Sequence, residues 1–241
     1  MRFAIALPTY LYSEERKRNA ARSYASLLRT DIPSEDCPLW ISVVSPDADS
    51  ATPVYELVET SHRENEIRKF NGAYFSQRPG ISGTDQSLCC CVEGIIQTHL
   101  EVTHIIYLTD DLVYHPRWFI ELKALISRHP DARAWSVYRS AHDRHHKTRS
   151  VVGDDHEVTS LSGNGTCFTV DEWKAWGVGS IDGSSWPVPT GGNTLDLHHA
   201  YHRPGERWAT GKSYIQHIGM NGLRVTSGVP EYALDFVGED L

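Results

Sequence analysis

Strand-like and helix-like segments alternate through residues 1–130, and this alternation constrains the fold more than any other feature of the chain. "RFAIALPTY" reads as a strand ended by Pro8. "SEERKRNAARSYASLLRT" reads as a helix, with Ser13 as N-cap and apolar spacing through Ala21, Tyr24, Ala25, Leu27 and Leu28. "PLWISVVSPDADS" is a second strand, "PVYELVETSHRENEIRKF" a helix and "AYFSQRPG" a short strand-like piece. "TDQSLCCCVEGIIQTHL" is a helix capped by Thr84 and Asp85, "THIIYLTDD" a fourth strand, and "HPRWFIELKALISRHP" a helix bracketed by prolines. Elements of these lengths in this order imply parallel strands joined by crossover helices, a Rossmann-like half.

Residues 131–241 read differently. They are rich in Gly, Ser, Trp and His, as in "SLSGNGTCF", "VGSIDGSSWPVPTGGNT" and "LHHAYHRPGERWATGKSY". Short strands and long loops are expected here, and long glycine-rich loops in a compact domain are usually functional. The chain is expected to form one domain over residues 1–241, with a nucleotide-binding half at 1–130 and a second-substrate half at 131–241.

Composition removes several classes. No apolar run approaches the ~18 residues that span a bilayer, and "MRFAIALPTY" is too short an apolar run for a signal peptide. The cysteines, five with three adjacent (Cys89, Cys90, Cys91), make a poor disulfide framework and no C-x-x-C pair. A reducing, cytoplasmic setting is the expectation, with the cysteine triple on a buried helix face. A net charge of −8 argues against general nucleic-acid binding, although "HDRHHKTR" at 142–149 is a local basic cluster.

In a doubly wound sheet, ligands bind beyond the carboxyl ends of the strands. Pro8, Thr9, Asp47, Asp49, Asp110 and Asp111 all fall at such ends. The acids in "IIYLTDDLVYHP" follow a nearly all-apolar strand and therefore stand at the mouth of a buried sheet. An isolated Asp pair is more often a turn or a helix cap. However, the glycine-rich phosphate-binding fingerprints are absent from the sequence. A nucleotide on this sheet would then need a cation over its diphosphate, and carboxylates hold Mg²⁺ or Mn²⁺, imidazole being better suited to Mn²⁺. His217, in "KSYIQHIGMNG", is a candidate to turn from a strand end toward that rim.

The order "IALPTY", an acid after the second strand, "YLTDD", a glycine-rich segment and "IQHIG" resembles glycosyltransferases of the GT-A fold over almost the whole chain. "QHIG" is similar to a stretch near the C-terminus of some N-acetylglucosaminyltransferases. The resemblance implies a mostly parallel central sheet flanked by helices and a loop-rich acceptor-binding half. It also implies transfer of a sugar from a nucleotide-diphospho-sugar, a UDP-sugar first among them, to a hydroxyl acceptor, with Mn²⁺ or Mg²⁺ as cofactor. Carried over by position, Asp111 and His217 become metal ligands and Asp110 a donor contact, with Thr109 standing where an acid often stands. Pro8, Thr9 and Tyr10 become the edge that meets base and ribose, and Asp47 or Asp49 the acid that holds the base. Gly163, in "SGNGTCF", falls in the turn that meets donor sugar and acceptor. Inverting members use a carboxylate base, because a sugar hydroxyl must lose its proton as it attacks the anomeric carbon. Asp196, after a glycine loop, is the first choice, ahead of Asp182 and Asp171, the last of which also reads as part of a helix cap in "TVDEW". Lys212, with Arg203 and Arg207, could compensate the leaving diphosphate, and Trp173, Trp176, Trp186 and Trp208 could stack on rings.

The acceptor is open among a glycan, a small molecule and a hydroxylated base in DNA. Two other readings stand beside this one. The clusters His142/His145/His146 and His198/His199/His202, within 13 histidines, permit a metal-dependent hydrolase or phosphotransfer enzyme. The tryptophan-rich second half permits a glycan-binding relative without catalysis.

Overall fold

The computed structural model describes residues 1–11, 13–30, 32, 37–44, 83–141, 147–161, 164–176, 205–219 and 233–238. Ten strands and four helices lie within them: β1 (Phe3–Tyr10), α1 (Glu14–Leu27), β2 (Leu39–Val44), α2 (Gly83–Thr98), β3 (His104–Tyr107), β4 (Leu112–Tyr114), α3 (Trp118–Arg128), β5 (Ala134–Ser136), β6 (Thr148–Val152), β7 (Asp155–Val158), β8 (Thr166–Thr169), α4 (Val170–Trp176), β9 (Arg207–Ala209) and β10 (Ile215–His217). The helix and strand expected between residues 53 and 80 lie outside the described residues.

Eight strands form one sheet in the order β2-β1-β3-β8-β5-β9-β7-β6. β2, β1, β3, β5, β9 and β6 run one way; β8 and β7 run the other. The sheet is therefore mostly parallel in direction, as the alternation implied, with β8 from the second half inserted antiparallel beside β3. β4 and β10 form a separate antiparallel pair.

Every residue of β1 is buried, as a central strand covered on both faces requires. Its period-2 alternation sorts the core. Phe3, Ile5 and Leu7 face a layer containing Tyr24 and Leu27 of α1 and Trp118, Phe119, Leu122 and Leu125 of α3. Ala4 and Ala6 face Leu88, Cys89, Cys91, Val92 and Ile95 of α2. Small side chains on both partners suit close packing there. Cys89 and Cys91 are buried free thiols, as expected for these two of the cysteine triple.

Two expectations about strand ends are corrected. Pro8 does not end β1, which runs on to Tyr10. Ile5 donates to Pro38 O on the β2 side, so even-numbered residues of β1 aim their N–H toward β3. β3 pairs only as far as Ala6↔Tyr107, so the N–H that Pro8 lacks has no ladder partner to lose. The strand "THIIYLTDD" ends at Tyr107, and its acids occupy the turn into β4. That turn exists because Leu112–Tyr114 pairs with β10 on one edge, while the other edge meets two serines of α1. Leu112 N donates to Ser23 Oγ at 3.4 Å and Tyr114 N to Ser26 Oγ at 2.9 Å.

Candidate active site

The site begins with a backbone group that loses its partner. Tyr10 N–H points to the side from which β3 has already departed, and the Asp110 carboxylate takes it, with Oδ2 accepting at 2.6 Å. The other oxygen, Asp110 Oδ1, accepts from Arg16 Nη2 at 2.8 Å. Arg16 Nε donates at 3.0 Å to Tyr10 O. One guanidinium thus joins the end of β1 to the acid turn. Arg16 is held in place by the helix start: Ser13 Oγ caps α1 by accepting from Arg16 N at 3.2 Å.

Asp111 faces the other way. Its Oδ1 accepts from Thr109 Oγ1 at 2.8 Å, and the same hydroxyl lies 3.0 Å from Asn164 Oδ1. Its Oδ2 lies 3.2 Å from His217 Nε2. Register makes this contact, since His217 of β10 pairs with Leu112, the residue after Asp111. Ile218 N then donates to Asp111 O at 2.8 Å, curling the chain around the acid. Gly219 completes the turn: a β-carbon there would collide with Asp111 Oδ2. The "IQHIG" stretch is therefore a wrap around one aspartate. Gln216 ties it to the C-terminal segment by accepting from Ala233 N at 3.3 Å.

Both carboxyls are buried, Asp110 2% and Asp111 6% exposed. Burial, with the charge of Asp111 adding to it, pushes the Asp110 carboxyl up to about 7 despite Arg16 and Tyr10 N–H. Burial acts on Asp111 too, but hydrogen bonding to His217 and the charges of His217 and Arg16 outweigh it and hold this carboxyl below its usual range. The two acids are thus differentiated. Asp111 stays ionised, the form a metal ligand needs. Asp110 is tethered through both oxygens.

The donor set fits a divalent cation. Two ligand atoms in adjacent positions of an octahedral ion with bonds of about 2.1 Å stand about 3.0 Å apart, close to the 3.2 Å between Asp111 Oδ2 and His217 Nε2. One carboxylate and one imidazole suit Mn²⁺ somewhat better than Mg²⁺. Among the described residues no group of three His, Cys, Asp or Glu side chains is arranged to hold a metal.

Other expected residues fall variously. Pro8, Thr9 and Tyr10 lie at the same rim, but Thr9 turns inward, its Oγ1 2.6 Å from Tyr24 Oη. Lys212 lies apart, in a cavity of about 780 Å³ whose lining includes Asp154, Asp155, Tyr214 and Asp235 but neither Asp111 nor His217. Arg207 is buried on β9, donating to Gly205 O. Trp173 and Trp208 are core residues rather than ring-stacking platforms. Trp173 lies against Phe168, and Trp208 stacks on His129 at 3.7 Å. Asp171 lies in the first turn of α4, whose start is capped by Thr169 Oγ1 accepting from Glu172 N at 3.0 Å. Asp47, Asp49, Gly163, Asp182, Asp196, Arg203, Trp186 and both histidine clusters lie outside the described residues. Sequence reasoning missed Arg16, Asn164 and Gly219. Arg16 had one signal, a cation in the first turn of a helix, where the dipole disfavours it.

The fold is that of the GT-A nucleotide-sugar glycosyltransferases. No protein-family model and no curated protein matches the chain by sequence. Among solved structures it is similar to TarS of S. aureus, with a TM-score of 0.60 and 14% identity over 91% of this chain and 37% of that one. It is similar to TarS 1–349 in complex with UDP-GlcNAc, with a TM-score of 0.58 and 16% identity over 94% of this chain and 61% of that one. It is also similar to GalNAc-T7 with UDP, GalNAc and Mn²⁺, with a TM-score of 0.60 and 12% identity over 91% of this chain and 44% of that one. The chain thus spans less than two thirds of each of these proteins.

Proposed function

We propose that the protein is a metal-dependent glycosyltransferase that moves a sugar from a nucleotide-diphospho-sugar, a UDP-sugar first among them, to a hydroxyl acceptor. The observation that carries this reading is the Asp111–His217 pair at the rim of a GT-A sheet, Asp111 buried and His217 partly buried, with ligand atoms 3.2 Å apart. Asp110 and Asp111 are adjacent buried carboxylates at this rim, and the Arg16 guanidinium is bonded to Asp110 alone. The Mn²⁺ in the GalNAc-T7 complex, and in a GDP-Man complex of a mannosyltransferase from Pyrobaculum calidifontis (TM-score 0.54, 12% identity, 83% of this chain and 50% of that one), is consistent with it.

In this reading Asp111 and His217 hold Mn²⁺ or Mg²⁺, which when bound supplies positive charge against the donor diphosphate. The ends of β1 and β2, with Pro8, Tyr10 and Asp47 or Asp49, receive the nucleoside. Asp110 fixes the turn and faces the donor, and Gly163 lies near the donor sugar. Asp196 takes the acceptor proton, which makes the transfer inverting. Lys212 lines a separate cavity that includes neither Asp111 nor His217, which weighs against its expected role at the diphosphate. The first half of the chain binds the donor and the second the acceptor.

Thermal unfolding with UDP or GDP, with and without Mn²⁺, tests the reading. Stabilisation that requires Mn²⁺ and is lost in Asp111→Ala supports it. Stabilisation by neither nucleotide, or stabilisation indifferent to Mn²⁺ and to Asp111→Ala, overturns it.

A further inference from the structure

We propose that Arg16 is a positioning residue for the nucleotide diphosphate, setting the spacing between the edge that meets the nucleoside and the ligand that meets the metal. The inference rests on the glycosyltransferase reading above and concerns a residue outside the donor and metal contacts named there.

The ends of β1 and β3 part after Ala6↔Tyr107, so no backbone ladder ties Tyr10 to the acid turn. Three side-chain bonds close the gap: Tyr10 N to Asp110 Oδ2, Arg16 Nη2 to Asp110 Oδ1, and Arg16 Nε to Tyr10 O. Arg16 takes part in two of them. Its Nε and Nη2 lie on one edge of a planar fork, which fixes the separation of the two oxygens they meet. The guanidinium carbon lies 6.0 Å from the centre of the Tyr10 ring. Asp111 is the next residue after the tethered acid, so movement of the tether shifts Asp111 relative to Tyr10. A nucleoside diphosphate bridging the β1 edge and a metal on Asp111 and His217 reads that distance. A metal ion alone does not. Nucleotide and metal should therefore tighten one another's binding, and Arg16 should govern that coupling.

A lysine would keep the charge and could reach Asp110. It presents a point charge rather than two donors at fixed spacing, so it would not restrain Asp110 Oδ1 and Tyr10 O together. This separates positioning from simple charge compensation.

The test is calorimetric titration of the full chain with UDP and with GDP, with and without Mn²⁺. Mn²⁺ alone is followed by electron paramagnetic resonance, and the variants are Arg16→Ala, Arg16→Lys and Asp111→Ala. Arg16→Ala is expected to weaken nucleotide binding in the presence of Mn²⁺ about tenfold. It should leave Mn²⁺ binding alone no weaker, since Arg16 bonds to neither proposed ligand and loss of its charge lessens repulsion of the ion, and it should reduce the factor by which Mn²⁺ tightens the nucleotide. Arg16→Lys is expected to unfold near the parent midpoint yet recover less than half of that factor. The inference is overturned if Arg16→Ala keeps the parent coupling, if it weakens nucleotide binding equally with and without Mn²⁺, or if Arg16→Lys restores the coupling in full. Should Arg16→Ala not fold, Arg16→Lys decides alone, parent-like coupling counting against the inference and reduced coupling for it. A parent chain that binds neither nucleotide with Mn²⁺ removes the glycosyltransferase reading and this inference together. A parent that binds and loses binding in Asp111→Ala, but not in Arg16→Ala, removes this inference alone.

Discussion

His217, Gly219 and Asp111 show how much a single residue decides at this rim. Gly219 is required by the Asp111 carboxylate rather than by backbone conformation, since any β-carbon would collide with Oδ2. Gly219→Ala should cost about 1–3 kcal/mol of stability through overpacking, measured by denaturant unfolding. It should also weaken Mn²⁺-dependent nucleotide binding by displacing Asp111; unaltered stability and binding would show that the turn relaxes freely. A second residue-level prediction concerns His104 on β3, whose ring lies 5.2 Å from Phe3 and 5.8 Å from Trp135. Burial pushes this imidazole down to about 4. The folded-state value lies below the unfolded one, so the neutral form is favoured by folding. That stability is present above about pH 6.5 and is lost as pH falls through 4, because the unfolded chain binds a proton that the folded chain refuses. The loss should approach about 3 kcal/mol, and His104→Gln should flatten the acid limb of a stability-versus-pH curve. The acids, the histidine and the glycine were each visible in the sequence as residues. Their mutual contact was not, because Asp111 and His217 are separated by most of the second half of the chain.

Among the elements, α1 links stability to the site most directly. Its N-cap, Ser13, accepts from the N–H of Arg16, the residue whose side chain ties Tyr10 to Asp110. Its serines at 23 and 26 meet the free edge of β4, the strand that follows Asp111. Ser13→Ala should lower stability by about 1 kcal/mol and, by loosening the first turn, weaken nucleotide binding as well. Chemical denaturation and titration with UDP and Mn²⁺ would measure the two effects, and a stability loss with unchanged binding would mean that Arg16 holds its place without the cap. α1 and α3 were legible from apolar spacing, the Ser13 cap and flanking prolines, and α2 from its apolar content, although it starts at Gly83, ahead of the expected caps Thr84 and Asp85. β1 was legible as a buried run, but its end was misplaced, because proline is excluded only where the missing N–H would have had a partner. The β3–β4 break was not legible at all. "IIYLTDDLVY" is apolar on both sides of the acids, and only β10 and the α1 serines turn its second half into a separate strand.

At the scale of the whole molecule, ligand binding should appear as stability. A nucleotide diphosphate at a hundredfold excess over its Kd stabilises the folded chain by about 2.7 kcal/mol, about 5–10 °C in Tm for a chain of this length. Differential scanning fluorimetry should show that rise with UDP or GDP only when Mn²⁺ is present, and Asp111→Ala should abolish it. By itself the sequence determined the class of fold, because alternating strands and helices with a fully apolar first strand can bury themselves only as a covered, mostly parallel sheet. It also determined that an acid pair follows the apolar run of β3, although not that the pair occupies a turn between two strands. Tertiary structure alone decided which acids act together and how they differ. Insertion of β8 antiparallel beside β3, and pairing of β10 with β4, are long-range choices that local propensity does not encode. They place His217 on Asp111, and departure of β3 from β1 leaves the Tyr10 N–H to Asp110. Two adjacent aspartates, equivalent as letters, thereby become one held by a guanidinium and a backbone amide and another held by an imidazole.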